Sequence, residues 1–319
     1  MWPHATPEPA QTTELEKDVT KDSDAFISGH RTERLTNVTQ PTMTVHLAPS
    51  NHNIGSAAVV FPGGGYQRLA WNGEGTDTCA WVNSLGMACL LVKYRVPEKG
   101  HYPDNPADLE DAQQAMRIAK SHADTWHFNR HRVGVIGFSA GGHLAVALST
   151  HWDDHHVETT PAASDVDTTI NARPAFAILG YPAYLESDDD HKVIDPALTP
   201  VARTPPTFII QAENDKSYID SSLAYYRALK DAHVPAELHL YSTGGHGFGM
   251  HPAGTPEEHW TQIAAEWLRS IGALPTPIHS ASRPGTAGVP GTIACPLPQP
   301  VIGRPGDPSK NPTPDPNCW

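Results

Sequence analysis

The stretch VGVIGFSAGGHLAVAL, from Val133 to Leu148, decides how the chain is interpreted. It begins as a continuous apolar run, reaches Ser139 among small residues, and continues with apolar residues at helical spacing. A continuous apolar run is typical of a strand that is buried on both faces of a parallel sheet. The stretch therefore predicts a strand, a sharp turn that carries Ser139, and a helix.

Glycines flank the serine in the pattern G-x-S-x-G, at Gly137 and Gly141. In a sharp turn between strand and helix the neighbouring side chains would clash, and glycine avoids this. The helix N-terminus after the serine favours negative charge that develops beside it. A chance loop is the alternative, but the pattern both follows an apolar run and opens a helical one. The sequence thus predicts a hydroxyl held out into a cleft as a nucleophile.

Strand-like and helical segments alternate on both sides of this stretch, over residues 41–273. Apolar runs such as SAAVVF, MACLLVKYRV and TFIIQA alternate with segments of helical spacing such as EEHWTQIAAEWLRSI. This alternation predicts one α/β domain with a mostly parallel central sheet flanked by helices. We expect residues 1–40 to wrap this body, and residues 274–319, which are rich in proline and glycine, to form an extended tail.

The charge and hydropathy of the chain exclude several kinds of partner. The 319 residues carry a formal net charge of −13, which argues against nucleic acid or an anionic membrane as a partner. The sequence has no apolar run of about 18 residues or more, so no transmembrane helix is expected. A neutral small-molecule or carbohydrate substrate fits this charge better.

Four cysteines are too few for a disulfide scaffold. Cys79 and Cys89 fall in a predicted helix and a predicted buried strand, and we expect them to be buried free thiols. Cys295 and Cys318 lie in the tail, where they can pair in an oxidising compartment. The opening residues are polar and contain no apolar signal-peptide core.

A serine nucleophile needs a base, and the base needs an orienting acid. In a fold with this turn the acid follows later in the chain and the histidine after it. TFIIQAENDKSYID supplies three acids, Glu213, Asp215 and Asp220, and the glycine-rich STGGHGFG supplies His246. We favour Asp215, because Glu213 comes directly off the strand and Asp220 suits the first turn of a helix.

The oxyanion of an acyl-transfer reaction needs backbone N–H donors. One donor is expected from Ala140, the residue after the serine. The others are expected from the loop after an earlier strand, where VVFPGGGY provides Gly63, Gly64 and Gly65. Three glycines can also form a plain flexible turn. A phosphate-binding loop is disfavoured, because no lysine follows at P-loop spacing and no G-x-G-x-x-G is present.

Several motifs together resemble a known family. The stretches FPGGGYQRLAWNGEG, KYRVP, VGVIGFSAGGHLA, YPAYL, AENDKSYIDSSLAYY and GGHGFG are similar to α/β-hydrolase esterases related to acetyl xylan esterases and hormone-sensitive-lipase-like carboxylesterases. The resemblance runs from about Val45 to Gly272. It implies that Ser139 is the nucleophile, Asp215 the acid and His246 the base.

The same resemblance implies that Gly64, Gly65 and Ala140 donate the oxyanion hydrogen bonds. Pro62 stands where lipase-type members carry histidine, but the backbone donors do not depend on that side chain. AEND replaces the AEDD of many relatives, and the acid itself is retained. The opening WPHATPEP is similar to the start of mature exported members, which implies a secreted or periplasmic protein, with a cytoplasmic location as the alternative.

The substrate is predicted from the loop that follows AFAILGYPAYL. Barely twenty residues separate Leu185 from Thr207, so we expect a small lid or none and an open site. An open site suits an acyl group on a bulky alcohol. Four aromatic residues that follow predicted strand ends are expected to line the pocket, with simple packing as the alternative: Tyr66, Trp71, Tyr181 and Tyr184.

The sequence therefore predicts a serine carboxylesterase that removes short acyl groups, in particular acetyl groups on carbohydrate. No metal and no organic cofactor is expected, and HWDDHH at residues 151–156 is interpreted as a solvated surface. A feruloyl or aryl esterase and a serine peptidase are the enzymatic alternatives. A binding module without catalytic activity on the same fold is the remaining one.

Overall fold

The computed structural model describes residues 1–4, 6–22, 30–154, 161–187, 189–251 and 254–276. Ten strands are found in these ranges, in chain order β1 (Lys17–Asp18), β2 (Arg34–Thr36), β3 (Thr42–His46), β4 (Ala57–Phe61), β5 (Leu69–Ala70), β6 (Ala88–Lys93), β7 (Val133–Phe138), β8 (Ala177–Gly180), β9 (Thr207–Ala212) and β10 (Ala236–Tyr241). The helices are α1 (Asp77–Ser84), α2 (Ala107–Ser121), α3 (Ala140–Thr150), α4 (Ile219–Asp231) and α5 (Trp260–Ser270).

Seven of the strands form the central sheet in the order β10-β9-β8-β7-β4-β6-β3. All neighbours in it run parallel except β3, which pairs antiparallel with β6. Every residue of β4, β7, β8 and β9 is buried, which is why these strands read as continuous apolar runs. The predicted α/β fold with a mostly parallel sheet flanked by helices is confirmed.

Two apolar clusters cover the two faces of this sheet. On one face, alternate strand residues such as Val59 and Val135 pack against α2, α3 and α4. On the other face, residues such as Val60 and Ile136 pack against α1 and α5. Burial of both faces fixes the sheet, and all its parallel strands direct their carboxyl ends to one edge.

The N-terminal residues make a second, smaller set of contacts. The indole of Trp2 is buried and its Nε1 donates to Asp111 Oδ1 on α2 at 2.8 Å. Further along, β1, β2 and β5 form an antiparallel three-stranded sheet, with Arg34 opposite Ala70. These contacts bring residues 30–36 to the loop after β4.

The connection from β8 to β9 contains no α-helix within residues 181–187 and 189–206, where the structure describes it. It has one short 3₁₀ turn, Pro196–Leu198, and an isolated pairing of Glu186 with Ile194. In this part of the chain the carboxyl edge of the sheet is therefore not covered by a helical lid.

The expectation that Cys79 and Cys89 are free thiols is wrong, because the two residues form a disulfide. Cys79 lies on α1 and Cys89 on β6, and packing of this helix on this strand brings their Cα atoms to 5.2 Å. That separation is within the range that a disulfide spans. The sequence placed each thiol in the correct kind of element, but the pairing depends on how the two elements pack. Cys295 and Cys318 lie outside the described residues, and their pairing stays a prediction.

Replacing both Cys79 and Cys89 with alanine should lower the free energy of unfolding by about 2–3 kcal/mol, because the crosslink restricts the unfolded chain. Denaturant titration of the oxidised proteins measures this difference. Added reductant should destabilise the wild type and leave the double variant unchanged. Equal stability of the two oxidised proteins would mean that the disulfide does not form.

Candidate active site

Ser139 occupies the turn between β7 and α3. Its backbone has φ 51° and ψ −120°, a conformation that costs a non-glycine residue about 1–3 kcal/mol. The turn is held by its own peptide groups: Ser139 N–H donates to Gly180 O at 2.9 Å, and Ser139 O accepts from Gly142 and His143. The strain is therefore maintained by the hydrogen bonds of the surrounding backbone.

The two flanking glycines are required because backbone atoms lie where their side chains would be. A Cβ on Gly137 would lie 2.1 Å from Gly141 O. A Cβ on Gly141 would lie 2.1 Å from Phe61 O, at the end of β4. Backbone cannot move aside as a flexible side chain can, so any larger residue at either position disrupts the turn.

The structure brings together the three side chains that the sequence singled out. Ser139 Oγ lies 2.8 Å from His246 Nε2, and His246 Nδ1 lies 2.7 Å from Asp215 Oδ2. Asp215 is buried, and its Oδ1 accepts from the amides of Ser217 and Tyr218 at 3.2 and 3.3 Å. The carboxylate is thus fixed, and it orients the imidazole toward the serine.

The other two candidate acids lie elsewhere. Glu213 is exposed, and Asp220 is exposed in the first turn of α4. Asn214, the residue by which this chain departs from AEDD, accepts from Gly245 N–H through its Oδ1 at 2.8 Å. This bond joins the loop of the acid to the loop that carries His246.

The predicted oxyanion donors lie beside the serine. Gly64 and Gly65 have φ 135° and 65° and line the same cavity as Ser139. Gly63 N–H is engaged with Glu74 Oε2. By contrast, none of the hydrogen bonds found among the described residues uses the amides of Gly64, Gly65 or Ala140 as donors. These three N–H groups are available for a ligand.

Ser139 and His246 open onto a cavity of about 450 Å³. Thr32 and Arg34 from the N-terminal segment form part of its wall, as does Arg68 from the loop after β4. Sequence reasoning missed all three. Thr32 and Arg34 reach the site because β2 pairs with β5. The cavity walls are rich in polar side chains.

The four aromatic residues that were predicted to line the pocket differ in their positions. Tyr184 lines the cavity, and its contact with substrate stays a prediction. The prediction is wrong for Tyr66, Trp71 and Tyr181, which lie outside the lining. Tyr66 is buried with its hydroxyl 2.7 Å from His143 Nδ1, and Trp71 packs against both apolar clusters. Tyr181 is fully buried beneath the site. Packing, the alternative for each, accounts for these three positions.

Tyr218 is a cavity residue that the sequence analysis missed. Its ring centroid lies 4.7 Å from that of His246, and its hydroxyl lies 3.4 Å from the hydroxyl of Tyr184. The sequence could have indicated this residue, because Tyr218 follows Asp215 in the same loop. Together the two tyrosines give the cavity one aromatic wall next to the imidazole.

Glu74 is a further residue that sequence reasoning missed. It lies in a π-helical turn, Trp71–Thr76, and only 6% of it is exposed. Its two oxygens accept from Gly63 N–H at 2.7 Å and from the Tyr181 hydroxyl at 2.9 Å. Burial raises the pKa of this carboxyl. The sequence feature that could have indicated Glu74 is a single acidic residue between two glycines in WNGEG.

Within the described residues, no group of three or more His, Cys, Asp or Glu side chains is arranged to hold a metal ion. His155 and His156 of the HWDDHH stretch lie outside those residues. None of the helices in the described ranges is long and apolar enough to cross a bilayer.

A family profile for the alpha/beta hydrolase fold matches residues 58–250, which contain every residue of the serine, acid and histidine arrangement. The chain therefore belongs to this family.

Its relatives include an acetylxylan esterase of Xylanibacter ruminicola, 31% identical over 267 residues, which are 76% of this chain and 51% of the relative. The Butyrivibrio fibrisolvens protein named endo-1,4-beta-xylanase B is 28% identical over 59% of this chain and 32% of that protein. The chain thus spans about half or less of the length of these curated relatives. The acetyl ester-xyloside bifunctional hydrolase of Caldicellulosiruptor lactoaceticus has a similar structure, with a TM-score of 0.62 and 30% identity over 73% of this chain and 89% of that one.

Proposed function

We propose that this chain is a serine ester hydrolase that removes short acyl groups through an acyl-enzyme. The observation that carries the proposal is the hydrogen-bonded series Ser139–His246–Asp215, which opens onto a cavity lined by Gly64 and Gly65. The names of the relatives support ester hydrolysis as the reaction.

In the first half of the reaction, Ser139 Oγ attacks the carbonyl carbon of the ester while His246 Nε2 takes its proton. Asp215 accepts from His246 Nδ1 and stabilises the imidazolium. The carbonyl oxygen becomes an oxyanion and accepts hydrogen bonds from the backbone amides of Gly64, Gly65 and Ala140. As the intermediate collapses, His246 returns the proton to the departing alcohol and the acyl group remains on Ser139.

In the second half, water enters the position that the alcohol left. His246 removes a proton from it, and the resulting hydroxide attacks the acyl carbon through a second oxyanion. Collapse of that intermediate releases the carboxylic acid, and the proton returns to Ser139 Oγ. The cycle uses only groups of this chain and water.

For the substrate we propose acetyl groups on carbohydrate. The described part of the β8–β9 connection adds no helical lid, and this favours a substrate with a bulky alcohol. The cavity wall offers hydrogen-bonding side chains from Thr32, Arg34 and Arg68, and the rings of Tyr184 and Tyr218. Polar groups around an aromatic wall suit a sugar better than a long acyl chain. The names of the Xylanibacter and Caldicellulosiruptor relatives agree with this choice.

Hydrolysis of p-nitrophenyl acetate, butyrate and octanoate tests the proposal. We expect kcat/KM for acetate to exceed that for octanoate by roughly 10-fold or more. Acetate release from acetylated xylo-oligosaccharides should accompany it, and methyl ferulate should be a poor substrate. A preference for octanoate or for methyl ferulate would overturn the proposed substrate class.

We further propose that the chain works in an oxidising compartment, outside the cytoplasm. The buried Cys79–Cys89 disulfide supports this, because such bonds persist mainly in exported proteins. Fractionation of the producing cells followed by immunodetection tests it. Recovery of the chain in the cytoplasm with both thiols reduced would contradict the proposal.

A further inference from the structure

We propose that Glu74 is a positioning residue that holds the oxyanion loop and the histidine loop in their relative places. Here the oxyanion loop is residues 62–65 and the histidine loop is residues 242–251. Glu74 does this through its two carboxylate oxygens, one bonded toward each loop. The inference rests on the proposed esterase function, because it assigns Glu74 a part in the same reaction.

The first oxygen fixes the peptide that leads into the oxyanion loop. Glu74 Oε2 accepts from Gly63 N–H at 2.7 Å, and the Tyr94 hydroxyl donates to Pro62 O at 2.7 Å. Both polar atoms of the Pro62–Gly63 peptide are thus held by buried side chains. A Cβ on Gly63 would lie 2.7 Å from Glu74 Oε2 and 2.8 Å from Ser139 Cβ, so Gly63 is packed tightly between them.

This anchoring determines where the next amides point. Gly64 and Gly65 follow the fixed peptide directly, and Gly63 O is also held, by Ala70 N–H at 2.8 Å. The loop has no histidine side chain to brace it, since Pro62 stands at that position. Glu74 therefore supplies the bracing that keeps the Gly64 and Gly65 amides directed at the cavity.

The second oxygen reaches the histidine loop through Tyr181. The Tyr181 hydroxyl donates to Glu74 Oε1 at 2.9 Å and accepts from Gly249 N–H at 3.1 Å. The Tyr181 ring packs edge-on against the His246 ring, with centroids 5.3 Å apart. Gly249 O in turn accepts from Trp260 Nε1 at 3.1 Å. The histidine loop is thus tied to the same carboxylate as the oxyanion loop.

A carboxylate accepts both of these bonds as they stand. Gly63 N–H donates to one oxygen, and the Tyr181 hydroxyl, which accepts from Gly249 N–H, donates its proton to the other. A glutamine has one acceptor oxygen, so its amide nitrogen would face one of the two donors. Burying an anion is costly, and a two-donor site is a physical reason to retain one here.

The charge of Glu74 has a second consequence. His246, when protonated, and Arg34 both act electrostatically on this carboxyl. His246 becomes an imidazolium as Ser139 is deprotonated. A fixed negative charge nearby favours that form in the transition state, in addition to Asp215.

The variant Glu74→Gln tests the inference. We expect kcat for p-nitrophenyl acetate to fall about 100-fold, as when an oxyanion donor is misplaced, with KM changed by less than about threefold. Tyr181→Phe keeps the bond to Gly63 and should lose less activity. Asp111→Asn is the matched control, because Asp111 is also buried and accepts from Trp2 Nε1 and from Arg95, which belong to neither the oxyanion loop nor the histidine loop. It should keep its kcat.

Hydrogen exchange gives a readout that does not need turnover. In Glu74→Gln the amides of residues 63–65 and 242–251 should exchange faster, while those of β4 and α3 should not. Wild-type kcat in the folded Glu74→Gln variant, or an equal loss in folded Asp111→Asn, would overturn the inference. If the wild type itself shows no activity that depends on Ser139, the proposed function fails. The exchange pattern then still tells whether Glu74 joins the two loops.

Discussion

Replacing Ser139 with alanine should lower kcat for p-nitrophenyl acetate by about 10⁵–10⁶-fold, the loss expected when the nucleophile of such a system is removed. Without Oγ no acyl-enzyme forms, and His246 has no hydroxyl to deprotonate. The residual rate would come only from binding and the Gly64 and Gly65 amides. Steady-state kinetics on protein freed of contaminating esterases measures the effect.

Ser121→Ala is the matched control for this substitution. Ser121 is exposed at the end of α2, and its hydroxyl bonds only locally to Ile118 O and to the neighbouring His122 ring. This variant should keep wild-type kcat. Retention of more than about one part in a hundred of the activity in folded Ser139→Ala would contradict the assignment of the nucleophile.

Replacing Asp215 with asparagine should lower kcat by about 10⁴-fold. The carboxylate accepts from His246 Nδ1 and thereby keeps Nε2 free to take the proton of Ser139. An asparagine amide directed at His246 would favour the opposite tautomer and would not stabilise the imidazolium. Ground-state binding of the ester is unaffected, so KM should change little.

Glu213→Gln and Asp220→Asn serve as controls, since both remove a carboxylate from the same stretch of sequence. Both residues are exposed, and the carboxylate that is hydrogen-bonded to His246 is that of Asp215. We expect wild-type kinetics from both. A large loss in Glu213→Gln together with a small loss in Asp215→Asn would show that the acid has been assigned to the wrong residue.

The features that the sequence predicts correctly are those that depend on residues close together in the chain. The buried strands read as apolar runs because both sheet faces are covered. The order of Ser139, Asp215 and His246 along the chain follows from parallel strands that end at one edge. Each residue could therefore be found from its own strand end, without knowledge of distant contacts.

The parts that escaped prediction depend on packing between distant segments. Cys79 and Cys89 pair because α1 packs on β6. Thr32 reaches the cavity because the N-terminal strands pair beside the loop after β4. The role of Glu74 depends on Tyr181, which is 107 residues away in sequence. No local pattern encodes such contacts.

The predicted aromatic pocket illustrates the same limit. Tyr66 and Tyr181 follow strands of the central sheet at its carboxyl edge, and Trp71 follows β5 of the small sheet. Such positions are as suitable for packing as for lining a cavity. The direction of the side chain decides between packing and lining the cavity. Of the four aromatic residues, Tyr184 alone lines the cavity. Tyr181 nonetheless supports the site from beneath through Glu74.

Covalent labelling tests the central claim most directly. Diethyl p-nitrophenyl phosphate should react once per chain, and mass spectrometry of the digested protein should locate the diethylphosphoryl group on Ser139. Labelling should be absent in Ser139→Ala and much slower in a His246→Ala variant, because the histidine activates the hydroxyl. An unlabelled wild type, or a label on another residue with Ser139 unmodified, would contradict the account.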